Sequence, residues 1–497
     1  MTVAKTQAVD LVALLPALIV AGTALLVLVA DLFWPPRRRW LSVPVSVAGV
    51  VAALVAALAL SSDRPRTTFC LSPGACSYVE DRFAVAFQVI VLASTVVVLL
   101  LGRTELTESK LPAGEYHFLL LASVVGALTM ASSRDLLSLL VSLEVVSLPA
   151  FVLVGLRRDD ARSAEAALKF FLISVVATAV TLMGMSLVYG VTGSLQLDQV
   201  AAALSAQPRL PVTSAAIVLT LAGFAFKVSA VPFHAWVPDT YQGAPVPVAA
   251  FLSVVSKTAG FAGLALLLFV GFRPYADVWG PVLAVLAVLT MTAGNLVALR
   301  QRHAVRLLAW SSIAQAGYIL VPLGVAASQH GRAVSLGTAE SALLAYLAIY
   351  AAMNLGAFAC VIAVGRRSPG QLLADYRGLS SRQPLLAVAL AFFLACLAGL
   401  PPGVAGLFAK LTVFRAVLDG HLPWLAAVMA VNTVIALYYY VSWAFSLFGP
   451  TSLEPAVPTR TVPVLVASAI ALAAAVTVAL SVYPEWVLHA ADLATGH

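Results

Sequence analysis

The stretch Ala222-Gly223-Phe224-Ala225-Phe226-Lys227 places a lysine at the end of an apolar run, and Pro232 follows five residues later. A near copy, Ala405-Gly406-Leu407-Phe408-Ala409-Lys410, comes shortly after Pro401-Pro402. Proline removes a backbone donor and interrupts a helix. Paired interrupted apolar segments in two halves of a chain are typical of membrane transporters. We therefore predict a polytopic membrane protein in which each of these two lysines lies beside a broken helix.

The composition supports a membrane protein. The 497 residues have a mean hydropathy of +0.99, and 61% of them are hydrophobic, whereas only 10% are Asp, Glu, Lys or Arg. Soluble domains carry about 25% charged residues. Apolar runs of about 20 residues recur along the chain, as membrane helices require. The composition excludes a soluble enzyme and a disordered chain, and the continuous runs exclude the alternating strands of a barrel.

The runs predict an all-α fold with fourteen transmembrane helices. The predicted limits are 10–33, 41–60, 83–101, 117–133, 136–155, 168–190, 213–230, 246–270, 278–298, 304–324, 339–364, 384–416, 424–447 and 461–483. The interrupted helices are numbers seven and twelve. Because they are an odd number of helices apart, the two copies cross the membrane in opposite directions. We predict N-terminal helices over 1–116, two inverted five-helix repeats over 117–270 and 278–447, and a last helix over 461–497.

The net charge of +7 follows from topology rather than from a nucleic-acid partner. Alternate loops contain 16 Lys and Arg residues in one set and 8 in the other set with the termini. The positive-inside rule puts the first set in the cytoplasm and both termini on the outer face of a bacterial inner membrane. The polar loop with Cys70 and Cys76 then lies outside, where a disulfide and two free thiols are both open alternatives. Cys360 and Cys396 lie in apolar spans, as small hydrophobic residues do.

Lysine is the most informative residue type. The chain has 23 Arg but only 6 Lys. Four of these lysines fall in or at the edge of predicted spans, and they are Lys169, Lys227, Lys257 and Lys410. A buried lysine can release its proton, whereas arginine cannot. Each charge in the membrane costs about 2.5–3.5 kcal/mol on insertion scales, so its presence indicates a function. This distribution predicts proton exchange.

Glu144 lies in the middle of an apolar span, with Ser147 one turn further on. It is either a proton-exchanging carboxylate paired with a lysine of another span or a carboxylate held by structural hydrogen bonds. Lys257 is too central to reach the membrane surface. For Lys227 and Lys410, an extended side chain that reaches the interface remains an alternative.

Two further residues are auxiliary candidates. Lys169 lies four residues after Glu165, which is a favourable surface pair on a helix. It is either part of the proton pathway or a simple ion pair. His234 lies in a Pro-rich stretch, where it is either a titrating relay residue or a structural partner of the broken backbone. The sequence contains no nucleotide-binding, haem, flavin or iron–sulfur motif, so an ion gradient or a partner must drive transport.

Several charged segments resemble the antiporter-like membrane subunits of respiratory complex I. These segments are Asp135–Glu144, Glu165–Phe171, His234–Asp239, Leu307–Gln315 and the span of Lys410. Within that family the chain resembles the subunit N branch, because Lys410 and Lys257 stand where the other branches commonly have Glu and His, respectively. The stretch Val434–Tyr440 and the short segment after the last span are also similar to that branch. Val305 and Gln315 depart from the family, which often has Lys and His there.

The resemblance implies a proton-translocating subunit of NADH:quinone oxidoreductase that conducts protons through a buried Glu/Lys relay. Glu144 and Lys227 would form the coupled pair, Lys257 the central relay and Lys410 the terminal lysine. The chain itself would hold no cofactor; NADH, FMN, iron–sulfur clusters and quinone would belong to partner subunits. Its partners would include neighbouring antiporter-like subunits and the lipid bilayer.

Two other functions remain open at this point. The same fold and charges would serve a subunit of a multi-subunit cation/proton antiporter or of a membrane-bound hydrogenase. Alternatively, the chain would be a non-conducting structural spacer within the complex.

Overall fold

The computed structural model describes residues 9–61, 64–72, 74–109, 111–326, 336–366, 370–450 and 461–495. Some of the basic residues counted above lie outside these ranges, namely Lys5, Lys110, Arg332, Arg367 and Arg460. The outermost residues of the first and last predicted domains, 1–8 and 496–497, lie outside them too.

The first half of the chain consists of helices and one hairpin. Its elements are α1 (Leu15–Phe33), α2 (Ser42–Ala59), β1 (Arg66–Ser72), β2 (Ala75–Glu80), α3 (Arg82–Glu108), α4 (Ala113–Ser132), α5 (Leu136–Val154), α6 (Ala161–Thr192), α7 (Leu197–Ala206), α8 (Pro211–Lys227), α9 (Trp236–Gly243), α10 (Val246–Phe251) and α11 (Lys257–Leu266). A π-helical turn, Leu252–Ser256, joins α10 to α11 and leads directly to Lys257.

The second half contains helices alone among the described residues. They are α12 (Ala276–Ala298), α13 (Ala304–Ala326), α14 (Leu336–Gly365), α15 (Leu379–Arg382), α16 (Pro384–Ala398), α17 (Val404–Asp419), α18 (Pro423–Ser446), α19 (Val464–Val482) and α20 (Glu485–Thr495).

The predicted membrane crossings are confirmed in outline. Twelve helical segments of the described chain are long and apolar enough to span a membrane, and α8 and α16 are shorter apolar helices. These two are the first parts of the interrupted helices, so twelve and two give the fourteen predicted crossings. The predicted span 384–416 is not one helix, because the chain leaves the helix between Ala398 and Val404.

Two helices extend beyond the predicted apolar runs. The helix α3 continues to Glu108, and α6 begins at Ala161 rather than near residue 168. Side chains cap their first turns, since Asp81 accepts from the Ala84 amide and Asp160 from the Arg162 amide. The Asp160 cap therefore stabilises the polar first turn of α6 outside the hydrophobic segment, where hydropathy alone gives no signal.

The loop with Cys70 and Cys76 is a β-hairpin. Strands β1 and β2 pair antiparallel, with Cys70 opposite Cys76, and the two cysteines form a disulfide. The amide of Arg134 donates to the Ser77 carbonyl at 2.9 Å, which fixes the hairpin to the end of α4. Of the two alternatives, the structure contains the bonded pair. Cys360 and Cys396 are free and buried.

Ion pairs show which loops lie on the same face. Arg157 contacts Glu105 at 2.6 Å and Arg366 contacts Glu108 at 2.6 Å, so the chain ends of α5 and α14 meet the end of α3. These arginines belong to the basic set of loops. Asp81 joins Arg134 at 2.6 Å at the opposite end of α3, beside the hairpin. The alternation of loops agrees with the predicted order of crossings.

Small residues allow the central helices to pack closely. A Cβ atom on Gly294 would lie 2.5 Å from the Ala314 amide nitrogen, and one on Gly317 would lie 2.5 Å from that of Met291. Helices α12 and α13 therefore contact each other backbone to backbone, as membrane helices with small residues do. This contact places α13 at the centre of the protein, with α14 on its other side.

Candidate functional site

Three of the predicted lysines lie inside the helix bundle. Lys227, Lys257 and Lys410 have 2%, 1% and 3% of their surface exposed. Lysine is almost never fully buried unless it has a partner. Their side chains therefore do not reach the membrane surface, and the polar groups around each ammonium define the candidate site.

Lys227 contacts the helix of Glu144 through a serine. The Lys227 ammonium donates to Ser147 Oγ at 2.9 Å, and Ser147 lies one turn after Glu144 on α5. The Glu144 carboxylate accepts from Thr178 Oγ1 at 2.6 Å. Among the ion pairs formed by described residues, none joins Glu144 directly to Lys227. Each group therefore has its own neutral hydrogen-bond partner, and Ser147 holds the Lys227 ammonium against the helix that contains Glu144.

Glu144 also lies on an outward stripe of α5. The neighbouring positions Leu137, Val141, Leu148 and Val152 are each more than half exposed, whereas Glu144 is half-buried. They recur at spacings of three and four residues, which defines one helix face. A carboxylate on an apolar membrane face is costly to expose to lipid. This face is suited to contact with another subunit.

Lys257 is held by α13. Its ammonium donates to the Ser312 carbonyl at 2.6 Å and to Ser312 Oγ at 2.7 Å, and it lies 6.0 Å from the centre of the Tyr350 ring. A ring face attracts a cation. The π-helical turn before Lys257 belongs to a segment that is buried throughout. Neutral oxygens and an aromatic face are therefore the described partners of this ammonium.

Lys410 is held at the break between α16 and α17. Its ammonium donates to the Ala398 carbonyl at 2.8 Å and lies 5.5 Å from the centre of the Tyr318 ring. Ala398 ends α16, so its carbonyl has no continuing helical partner. The interruption supplies the oxygen that binds the lysine.

The break after α8 is satisfied in a similar way. The Trp236 indole donates to the Phe226 carbonyl at 3.2 Å, and the Val231 amide donates to Thr290 Oγ1 at 2.9 Å. Lys227 ends the helix before its break, whereas Lys410 lies in the helix after its break. The two matching hexapeptides therefore identify both interrupted helices but occupy different positions within them.

Unlike the three buried lysines, Lys169 is exposed and His234 is half-buried. Lys169 contacts Glu165 at 2.7 Å and Asp239 at 3.1 Å, with 45% of its side chain exposed. Asp239 also binds Arg306 at 2.8 Å. The ring of His234 packs edge-on against Trp310, with centroids 5.4 Å apart. The geometry of Lys169 is that of a surface ion-pair network.

A buried carboxylate at the hairpin could not be predicted from the sequence. Glu80 is 1% exposed and accepts from Gln88 Nε2 at 3.0 Å and from Ser132 Oγ at 2.8 Å. Burial raises the pKa of Glu80 from its ordinary value of 4.5 to about 7. In the sequence, Glu80 ends a short polar segment, and nothing there distinguishes it from a glutamate on the surface.

The part of the chain that matches a known protein family contains these site residues. Residues 133–436, which contain all three buried lysines and Glu144, match the family described as NADH:quinone oxidoreductase/Mrp antiporter, TM. The chain belongs to this family. It is 51% identical to NADH-quinone oxidoreductase subunit N 2 of Streptomyces griseus over 98% of this chain and 94% of that protein. It is 48% identical to NADH-quinone oxidoreductase subunit N of Salinispora tropica over 91% and 88%.

Solved structures share the fold of this family member. A chain of respiratory complex I from Thermus thermophilus is 30% identical, with a TM-score of 0.76 over 95% of this chain and 98% of that chain. A chain of the Mrp complex from Dietzia sp. gives a TM-score of 0.81 over 98% and 97%, at 23% identity. The second likeness concerns the fold alone. The predicted resemblance to complex I membrane subunits, and to subunit N among them, is confirmed.

Proposed function

We propose that this chain is a proton-translocating membrane subunit of NADH:quinone oxidoreductase, in which Glu144, Lys227, Lys257 and Lys410 relay protons. It lies in a bacterial inner membrane with both termini on the outer face. NADH, FMN, iron–sulfur clusters and quinone belong to partner subunits, whose redox chemistry drives the relay. Its two inverted halves, 117–270 and 278–447, each contribute one interrupted helix.

One observation carries this proposal: three buried lysines are each held by neutral oxygens rather than by a carboxylate. Lys227 binds Ser147, Lys257 binds Ser312, and Lys410 binds the Ala398 carbonyl. A buried ammonium without a direct ion pair is costly. Lysine relieves that cost by giving up its proton, which arginine cannot do. Such lysines can alternate between two protonation states in a fixed framework.

Electrostatic attraction couples the first pair. The Glu144 carboxylate lies one turn from the serine that holds Lys227, so it stabilises the charged lysine. A movement or protonation of Glu144 removes that attraction and favours transfer of the Lys227 proton toward Lys257. Because Glu144 lies on a face suited to another subunit, a neighbouring antiporter-like subunit is well placed to control it.

The auxiliary residues act at the edge of this pathway. Lys169 and Arg306 together fix Asp239 on the second part of the interrupted helix. His234 lies in the break itself, against Trp310. We assign both residues positioning roles rather than steps of the relay.

Purification through a tag on this chain tests the assignment to a complex. We expect flavin and iron–sulfur subunits to copurify with it, together with NADH:quinone oxidoreductase activity. Recovery of antiporter or hydrogenase subunits without an NADH-oxidising arm would contradict this assignment. The chain would then be a subunit of one of the alternative complexes.

The relay is tested in the reconstituted complex. We expect Lys257→Ala and Glu144→Ala to abolish proton translocation while the complex still assembles. A structural spacer would translocate protons normally with either substitution, and that result would contradict the proposal.

A further inference from the structure

Hydroxyl and amide groups fill the region between Lys257 and Lys410. Ser312 and Gln315 lie one turn apart on α13, and Tyr346 and Tyr350 lie one turn apart on α14. All four side chains are at most 1% exposed. Buried polar groups are expensive unless they are paired. Their alignment on two facing helices therefore requires a reason beyond packing.

The network begins at Lys257. Ser312 Oγ accepts from the Lys257 ammonium at 2.7 Å and from the Tyr350 hydroxyl at 2.9 Å. This serine is the first hydroxyl that a proton leaving Lys257 would meet.

Gln315 organises a second group of hydrogen bonds, which no direct hydrogen bond between described residues joins to that of Ser312. Its Oε1 accepts from the Tyr346 hydroxyl at 2.6 Å, and its Nε2 donates to the Leu397 carbonyl at 3.3 Å and to the Tyr440 hydroxyl at 3.4 Å. The Tyr440 hydroxyl also hydrogen-bonds Ser311 Oγ. An amide side chain has no ionisable proton, so Gln315 orients its neighbours rather than carrying a charge.

The network ends at Lys410. Gln315 binds the Leu397 carbonyl and Lys410 binds the next one along the chain, that of Ala398. Tyr318 packs under the Lys410 ammonium and stacks on Tyr346, with ring centroids 6.4 Å apart and planes 10° apart. The middle of the network is therefore one peptide unit from the terminal lysine.

We propose that protons cross between Lys257 and Lys410 along the hydroxyl groups of Ser312, Tyr346 and Tyr440, with Gln315 as the positioning residue. This inference rests on the proposed function. The Lys257 ammonium gives one proton to the first hydroxyl group. Each hydroxyl group accepts a proton on a lone pair and passes on its own. Neutral Lys410 takes up the last proton. Water completes the steps between hydroxyl groups. Each tyrosine ends neutral, and one positive charge has moved.

The test compares Tyr346→Phe and Tyr440→Phe in the whole complex reconstituted in vesicles. Each substitution removes one hydroxyl and keeps the ring. We expect proton translocation to fall by about a hundredfold or more, because a positioned proton-transfer group typically contributes about 10²–10⁴-fold. The solvent deuterium isotope effect on translocation should rise, because proton transfer becomes rate-limiting. Tyr116→Phe is the matched control, since the buried Tyr116 hydroxyl has no hydrogen-bond partner among the residues that the structure describes.

The role of Gln315 is tested by loss and rescue. Gln315→Leu should slow translocation as the phenylalanine variants do, and Gln315→His should restore it because histidine again supplies a donor and an acceptor. A purely structural role would not raise the isotope effect. If a tyrosine variant does not assemble, the comparison of Gln315→Leu with Gln315→His still tests the hydroxyl route.

The outcomes separate this inference from the proposed function. If Tyr346→Phe, Tyr440→Phe and Gln315→Leu translocate protons like the unchanged protein while Lys257→Ala does not, the hydroxyl route is wrong and the lysine relay stands. If Lys257→Ala also translocates normally, the proposed function itself fails.

Discussion

Ser147 Oγ lies 2.9 Å from Lys227 Nζ and on the same helix as Glu144, one turn away. The Ser147 hydroxyl donates a hydrogen bond to the Leu143 carbonyl at 2.6 Å, so its lone pairs are available to accept from the lysine. The lysine is thus held against the helix of the acid by a neutral group, with no direct ion pair between the two among the described residues. A small change in the position of α5 would alter their attraction without breaking a direct ion pair.

Ser147→Ala removes the acceptor of the Lys227 ammonium. A buried donor left without a partner costs about 1–3 kcal/mol. We expect the charged form of Lys227 to be destabilised and proton translocation to slow by about tenfold, since 1.4 kcal/mol corresponds to that factor. The measurement is protons translocated per electron in reconstituted complex.

Ser186→Ala is the control for this substitution, because the exposed Ser186 hydroxyl donates to its own helix at the Leu182 carbonyl. Equal translocation by Ser147→Ala and Ser186→Ala would mean that Ser147 is only a packing residue.

Gly406→Ala should displace Lys410. A Cβ atom at residue 406 would lie 1.7 Å from the Cys396 carbonyl oxygen, so α17 must move away from α16. Overpacking of this kind typically costs about 1–3 kcal/mol or more. We expect a lower melting temperature of the purified complex and a loss of translocation, because the Lys410 contact with Ala398 depends on the same close approach.

A glycine in open space provides the comparison. A Cβ atom on Gly22 meets no atom within 4 Å, so Gly22→Ala should leave both properties unchanged. If Gly406→Ala behaved like Gly22→Ala, the close contact between α16 and α17 would not be needed for the site.

Docking of the hairpin should depend on pH through Glu80. Burial raises its folded pKa from 4.5 to about 7, so the docked state binds the Glu80 proton more tightly than the undocked state does. The stabilisation is fully present below the ordinary value and is lost as the pH rises through the folded value. Tyr78 and Asp81 also act electrostatically on Glu80, and Arg134 forms an ion pair with Asp81.

Hydrogen exchange of the β2 amides, corrected for intrinsic rates, measures this effect. We expect more protection at about pH 5 than at about pH 8, and a smaller difference in Glu80→Gln, whose amide stays neutral. The same pH difference in Glu80→Gln would show that another group controls the hairpin.

The buried lysines could be predicted from the sequence because lysine is rare in this chain. Arginine supplies most of the loop charges, so a lysine inside an apolar run is conspicuous. The interrupted helices could be predicted for a similar reason, since proline acts on the backbone directly. The depth of Lys169 could not be predicted, because a residue at the start of a span has no defined position relative to the surface.

The neutral parts of the site could not be predicted. Ser312 and Tyr346 are ordinary residues in an apolar sequence, and their importance depends on which helices face each other. Gln315 is distinguished in the sequence only as a departure from the family pattern. The hexapeptide match at 405–410 indicated an interrupted helix but not the side of the break on which Lys410 lies, since that depends on where the helix resumes.

Replacement of lysine by arginine tests the central claim most directly. Arginine keeps the charge but does not release a proton. In vesicles with the reconstituted complex, we expect Lys227→Arg, Lys257→Arg and Lys410→Arg each to abolish proton translocation, while Lys110→Arg, between the third and fourth spans, leaves it unchanged. Full translocation by the three arginine variants in assembled complex would show that these lysines contribute charge alone, and would contradict a relay that requires them to exchange protons.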